Sequence, residues 1–157
     1  MTRAASTSPE DLQALYRELI LDHARNPRNF GKLDSATHRA EGINPLCGDK
    51  LKLYLEVDDD SRITNARFEG SGCAISVASA SLLTETVIGV PAGEALKVFT
   101  DVVEALTGSS GGSAVDLGKM TALLGVREFP SRVKCATLAW HALNAAMNEN
   151  KQPATTE

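Results

Sequence analysis

Three cysteines, Cys47, Cys73 and Cys135, are spread over most of the 157-residue chain, and an odd number of widely separated thiols cannot all close into a disulfide framework. In a reducing compartment such thiols stay free, either as small buried apolar groups or as thiolates. Their neighbours favour the thiolate. Cys47 lies in Asn44-Pro45-Leu46-Cys47-Gly48-Asp49, a loop that enters a strand. Cys73 follows Gly70-Ser71-Gly72 at an expected helix start, where the dipole and free N–H groups stabilise negative charge. Cys135 follows Arg132-Val133-Lys134, where a helix is again expected to begin and positive charge lowers a thiol pKa. Glycine beside a sulfur does little for a core position but lets the backbone bend to aim a ligand or a nucleophile.

If the three sulfurs converge, they need a fourth donor to make a tetrahedral zinc site. Asp49 is the best placed, because residues two apart on an extended backbone point to the same side and Cys47 is its partner at that spacing. Its alternative role is to cap the turn after Gly48. His23, His38 and His141 are rival donors. His23 and His141 fall near helix ends, where surface or packing roles are expected, and His38 precedes a candidate strand. Three thiolates and a carboxylate around a divalent cation leave two net negative charges, which a partly buried site must offset with nearby cations. Lys50, Arg132 and Lys134 adjoin the ligands in sequence and can supply them; Lys50 also reads as an ordinary solvated charge. Ligands that arrive singly from distant segments, rather than as Cys-x-x-Cys pairs, allow one to be released without unfolding the domain. That suits chemistry on sulfur.

The elements that must position these residues can be read from periodicity. Ser8-Pro9-Glu10-Asp11 is a helix start, with a hydroxyl cap, proline at the first helical position and acids matching the dipole. Leu12, Leu15, Tyr16, Leu19 and Ile20 then share a face that calls for a partner sheet, and Asn26-Pro27 stops the helix. Leu51, Leu53, Leu55 and Val57 alternate with polar residues as a half-buried strand. Asp58 to Ser61 forms a turn, Ile63 to Phe68 a second strand, and His38 to Ile43 a third. Helices are expected over Ser71 to Gly89, Pro91 to Leu106, Leu117 to Leu124 and Ala136 to Met147, with Phe129-Pro130 as an interruption. Gly108 to Ser113 is a flexible break within one domain. A small antiparallel sheet with helices packed on it, an α+β fold, follows.

Composition narrows the function classes. Hydrophobic residues make up 43%, charged residues 23% and aromatic residues 4%, enough for one aliphatic core but not two domains. The expected organisation is a tail over residues 1–8, one domain over 9–148 and a second tail over 149–157, both tails disordered. The net charge of −4 argues against a nucleic-acid binder. No stretch is long and apolar enough to span a bilayer, and the N-terminus has no secretory pattern, so a cytoplasmic location is expected.

Four segments, in order, carry a resemblance to a known family: Tyr16 to His23 with Asn26-Pro27; Asn44 to Asp49; Phe68-Glu-Gly-Ser-Gly-Cys-Ala-Ile-Ser76; and Phe129-Pro-Ser-Arg-Val-Lys-Cys-Ala-Thr-Leu-Ala-Trp140. Together, from about Leu12 to about Leu143, they resemble the SufU branch of the IscU-like (NifU N-terminal domain) iron–sulfur cluster assembly proteins. IscU-like scaffolds carry histidine immediately before the third cysteine, where this chain has Lys134, and the segment from Gly108 to Leu124 resembles the insertion typical of SufU. The resemblance implies an IscU/SufE-like α+β domain holding one zinc ion through Cys47, Asp49, Cys73 and Cys135. It implies a sulfurtransferase role, with sulfur taken from the persulfide of a SufS-type cysteine desulfurase and passed to downstream iron–sulfur assembly proteins. Cys47 would be the sulfur acceptor, and Arg132 would help hold the site or the partner interface. In the family, a desulfurase histidine takes over a zinc position on docking and frees the acceptor thiolate.

Chemistry agrees with that assignment, since a metal-bound thiolate is deprotonated but a damped nucleophile, and zinc stores thiolates without oxidising them. The alternative is a scaffold that assembles a transient [2Fe–2S] cluster on the same residues, because iron accepts the same thiolate-rich set. A plain zinc-stabilised interaction module is a third reading, under which every ligand substitution unfolds the protein equally.

Overall fold

The structure is a computed structural model that describes residues 9–45, 48–107, 118–127, 129–148 and 154–155. Helix α1 (Pro9–Arg25) is followed by β1 (His38–Asn44), β2 (Asp49–Val57) and β3 (Ile63–Ser71). Then come α2 (Ala74–Val87), α3 (Ala92–Thr107), a 3₁₀ helix (Gly118–Val126), α4 (Pro130–Met147) and a two-residue strand, β4 (Ala154–Thr155). The three long strands form an antiparallel meander with β2 at its centre. Leu53 pairs with Ala40 on one side and Phe68 on the other. This is the small antiparallel sheet with packed helices that the alternation of Leu51 to Val57 predicts. Within the stretch read as a C-terminal tail, Ala154–Thr155 lies parallel to Gly42–Ile43 at the free edge of β1.

One face of the sheet is covered. Leu53, Leu55, Ile63, Ala66 and Phe68 are buried beneath α2 and α4, whose Leu82, Leu83, Leu138, Trp140 and Leu143 complete the core. Helix α2 is buried around most of its circumference, with Ser76, Ala78, Ser79, Ala80, Ser81, Leu82, Leu83 and Thr84 all inaccessible, as befits a central helix. Its small side chains allow close approach, and its hydroxyls tie neighbouring elements together. Ser79 Oγ donates to the Ala136 carbonyl (2.6 Å) and accepts from Trp140 Nε1 (3.2 Å). Ser81 Oγ accepts the Arg28 backbone N–H at 2.8 Å and lies 2.7 Å from His23 Nδ1.

Two expectations need correction. The apolar face of α1 packs against α2 and the 3₁₀ helix rather than on the sheet, because the alanine- and serine-rich surface of α2 lies between. The last helix begins at Pro130, not Ala136. Phe129-Pro130 therefore initiates it rather than interrupting the chain, proline being suited to the first helical turn where its missing N–H has no partner to lose. Cys135 is accordingly in the second turn of α4 rather than at its start, away from the terminal N–H groups.

The end of β3 depends on Gly70, whose φ of +149° is open mainly to glycine and where a Cβ would lie 2.3 Å from the Lys50 carbonyl oxygen. Gly70→Ala is expected to lower stability by about 3 kcal/mol from backbone strain and displaced β2 pairing, read as a reduced midpoint in urea unfolding.

Candidate metal centre

Three of the four sequence-predicted ligands meet at one end of the sheet. Donor atoms of Asp49, Cys73 and Cys135 all lie within 4.8 Å of one another. Cys47 and Leu46 fall outside the described residues. Each of the three is delivered by a different element. Asp49 opens β2, Cys73 sits in the joint between β3 and α2, and Cys135 is carried on α4 beneath β1. The packing of α2 and α4 against the sheet thus sets the distances between them. Asp49 and Cys135 are buried and Cys73 is exposed, so the cluster has a closed side and an open one.

The carboxylate is the hub. Asp49 Oδ1 accepts the backbone N–H of Cys73 at 2.9 Å, and Oδ2 accepts the Ser76 hydroxyl at 2.6 Å and the Cys73 thiol at 3.9 Å. Burial pushes the Asp49 carboxyl upward, but bonds from Ser76, Cys135, the Cys73 N–H and the Cys73 thiol outweigh it and hold the group below the usual carboxylate value. Asp49 is therefore ionised at neutral pH. Cys73 is the N-cap residue of α2 but its side chain makes no capping bond; the sulfur turns to Asp49 and to Ser76 Oγ, 3.6 Å away.

This donor set fits a thiophilic divalent cation. Ligand atoms bound at about 2.0–2.3 Å from one ion lie no more than about 4.6 Å apart, so the spacing observed needs only small side-chain adjustments. Charged buried ligands without a counter-charge are unfavourable, and no lysine or arginine forms an ion pair with Asp49 among the described residues. None of the three expected compensating cations forms an ion pair with Asp49 in the structure. Lys50 is exposed on β2 and Lys134 is half-buried on α4. Arg132 is exposed on the first turn of α4, its guanidinium 5.1 Å from the centre of the Phe129 ring.

None of the rival histidines joins the cluster. His23 is a buried packing residue between α1 and α2, bonded to Ser81 and 3.7 Å from Glu85. His141 stacks edge-on against Phe99 and burial lowers its pKa. His38 pairs with the Thr37 hydroxyl at 2.8 Å.

Two residues escaped the sequence reading. Ser76 bonds Asp49 and also contacts the Cys135 carbonyl at 3.5 Å. A serine three residues after a candidate ligand, inside an apolar helix, was its only signal. Asn44 is fully buried and directs Nδ2 at Cys135 Sγ, 3.7 Å away. Gly72 matters for a steric reason, since a Cβ there would stand 2.6 Å from Asp49 Oδ1. Gly72→Ala is expected to leave the fold intact but to displace the carboxylate and weaken metal binding about 10-fold or more, measured by competition with a chromophoric chelator.

Fold and cluster together define a small α+β domain that presents a cysteine–carboxylate cluster at one end of its sheet. Residues 15–155 match the NifU-like N terminal domain, and the chain belongs to that family. It is 43% identical over 136 residues to the zinc-dependent sulfurtransferase SufU of Bacillus subtilis, covering 85% of this chain and 89% of that protein. It is 41% identical over 142 residues to the iron–sulfur cluster assembly scaffold protein IscU of Thermotoga maritima, covering 88% and 96%. A crystal structure from Fervidobacterium islandicum, described as a putative iron–sulfur cluster assembly scaffold protein for the SUF system, superposes with a TM-score of 0.76 at 35% identity, covering 86% of this chain and 98% of that one. No helix among the described residues is long and apolar enough to cross a membrane.

Proposed function

We propose that this protein is a zinc-dependent sulfur acceptor, a sulfurtransferase that takes persulfide sulfur from a SufS-type cysteine desulfurase in the cytoplasm and passes it to downstream iron–sulfur assembly proteins. The observation that carries the reading is the ionised, buried Asp49 carboxylate clustered with one exposed and one buried cysteine. Cys47, Asp49, Cys73 and Cys135 would hold the ion. Zinc, when bound, keeps cysteines as thiolates at neutral pH and brings no redox chemistry of its own. The SufU relative, named as a zinc-dependent sulfurtransferase, supports the same metal and activity.

Cys47 is the acceptor. Its thiolate attacks the outer sulfur of the desulfurase's cysteine persulfide. A sulfur–sulfur bond forms at Cys47 as the donor's sulfur–sulfur bond breaks, and the donor cysteine leaves as a thiolate with the electron pair. No external oxidant or reductant is needed. Asp49, fixed by Ser76 and the Cys73 N–H, and Cys135, buried on α4, stay in place as the rigid part of the centre. Arg132, exposed beside Phe129 on the first turn of α4, offers the partner a cation over an aromatic face.

The second reading, a scaffold for a transient [2Fe–2S] cluster, draws on the scaffold relatives and on the affinity of iron for the same donors. Metal and acid-labile sulfide content, measured after purification without chelator and without oxygen, separates the two. About one zinc per chain, no sulfide and no colour is the result expected for the sulfur acceptor. Matched iron and sulfide with visible absorption would replace it with the scaffold.

A further inference from the structure

The two described cysteines of the centre have different surroundings. Cys73 is exposed and faces a carboxylate and a hydroxyl. Cys135 is buried; it shares the bond to Asp49 and, unlike Cys73, also receives an amide, Asn44 Nδ2, at 3.7 Å. Asn44 is the last residue of β1, wholly enclosed, and pairs across the sheet with Asp49. Its side-chain oxygen is the one buried side-chain polar atom without a hydrogen-bond partner among the described residues. A buried acceptor left unpaired costs free energy that an aliphatic residue of similar size would avoid. Packing therefore does not account for an amide here, and its N–H group is the part with a task.

We propose that Asn44 is a positioning residue of the metal centre, donating its Nδ2–H to the Cys135 sulfur so that this thiolate is held as a fixed ligand and kept from acting as a nucleophile. A donated N–H draws electron density from a thiolate and restrains its direction, as partners in the outer shell do for other ligands. The consequence is a division of labour. Cys135 anchors, and sulfur chemistry is confined to the exposed side of the centre. The inference rests on reading the cluster as a metal site and adds to it a residue that makes no bond to the metal.

The test uses the full chain loaded with cobalt(II) or cadmium-113, together with Asn44→Ala and Asn44→Asp; the aspartate matches asparagine in shape but lacks the N–H donor. Both variants are expected to shift the sulfur-to-cobalt charge-transfer bands to lower energy and to weaken cobalt binding about 10-fold to 100-fold, with the circular dichroism of the fold unchanged. In the unmodified cadmium-loaded chain, a scalar coupling is expected between cadmium-113 and the Asn44 side-chain amide proton, transmitted through Cys135 Sγ. Charge-transfer energies equal to the unmodified chain's in folded Asn44→Asp, or no coupling at that amide, would overturn the inference; the coupling experiment needs no variant and decides the matter if both variants fail to fold. A chain that binds neither metal refutes the metal-site reading instead. The N–H to sulfur bond is then tested without metal: the Asn44 side-chain amide resonance should move in Cys135→Ala, and an unmoved resonance overturns it.

Discussion

With Cys47 replaced by alanine, a cysteine desulfurase mixed with this protein is expected to turn over at the rate of the desulfurase alone, while the variant remains folded. The loss is expected to be complete, because the proposed route gives the transfer to Cys47 alone. Cys135 is buried on α4, and Cys73 is tied through its backbone N–H and its thiol to Asp49. Removing the nucleophile of a transfer reaction removes the covalent route itself. The fold is expected to survive because the inner face of the sheet packed with α2 and α4 supplies an extensive core. Desulfurase turnover by sulfide or alanine release, with circular dichroism on the same sample, reads both halves of the expectation. Retained stimulation would remove Cys47 from its role, and parallel unfolding of every ligand variant would point to the plain interaction module.

Trp140→Ala is expected to lower stability by about 3–5 kcal/mol, a large part of the total of about 5–15 kcal/mol that typical domains possess. Trp140 is fully buried in the core between α4 and its neighbours. Its indole N–H also bonds Ser79, which in turn bonds the Ala136 carbonyl, so the substitution opens a cavity and loosens the α2–α4 contact at once. Since α4 carries Cys135 and Cys73 leads into α2, metal binding should weaken in step with stability. Trp140→Phe, which retains much of the apolar volume but not the N–H, should cost only about 1 kcal/mol beyond the lost packing. Urea unfolding of both variants, with and without added zinc, measures these effects.

Residue chemistry makes three members of the centre, Asp49, Cys73 and Cys135, legible in the sequence. Glycine before Cys73 and an acid two residues beyond Cys47 draw the eye to Cys73 and Asp49, which the structure brings together with Cys135. The strands were legible for the same local reason, their alternation being imposed by one buried and one open face. What local pattern could not reveal was tertiary. Helix α1 has a clear apolar stripe, yet nothing in that stripe states whether a sheet or another helix receives it; the small residues of α2 decide. Proline at position 130 permits either a break or a helix start, and the packing of Val133 and Ala136 into the core selects the start. Asn44 stands before proline, a usual turn signal, and only the approach of α4 to β1 turns it into a neighbour of Cys135. Ser76 likewise becomes a partner of Asp49 only when α2 docks.

The proposed transfer delivers one sulfur atom to Cys47. The unmodified, zinc-loaded chain is incubated with a cysteine desulfurase and cysteine in the absence of reductant, alkylated, and its three cysteine peptides are weighed by mass spectrometry. One added sulfur is expected on the peptide containing Cys47 and none on those containing Cys73 or Cys135. Sulfur added at Cys73 or Cys135 in preference, or at no cysteine while the desulfurase turns over, would contradict it.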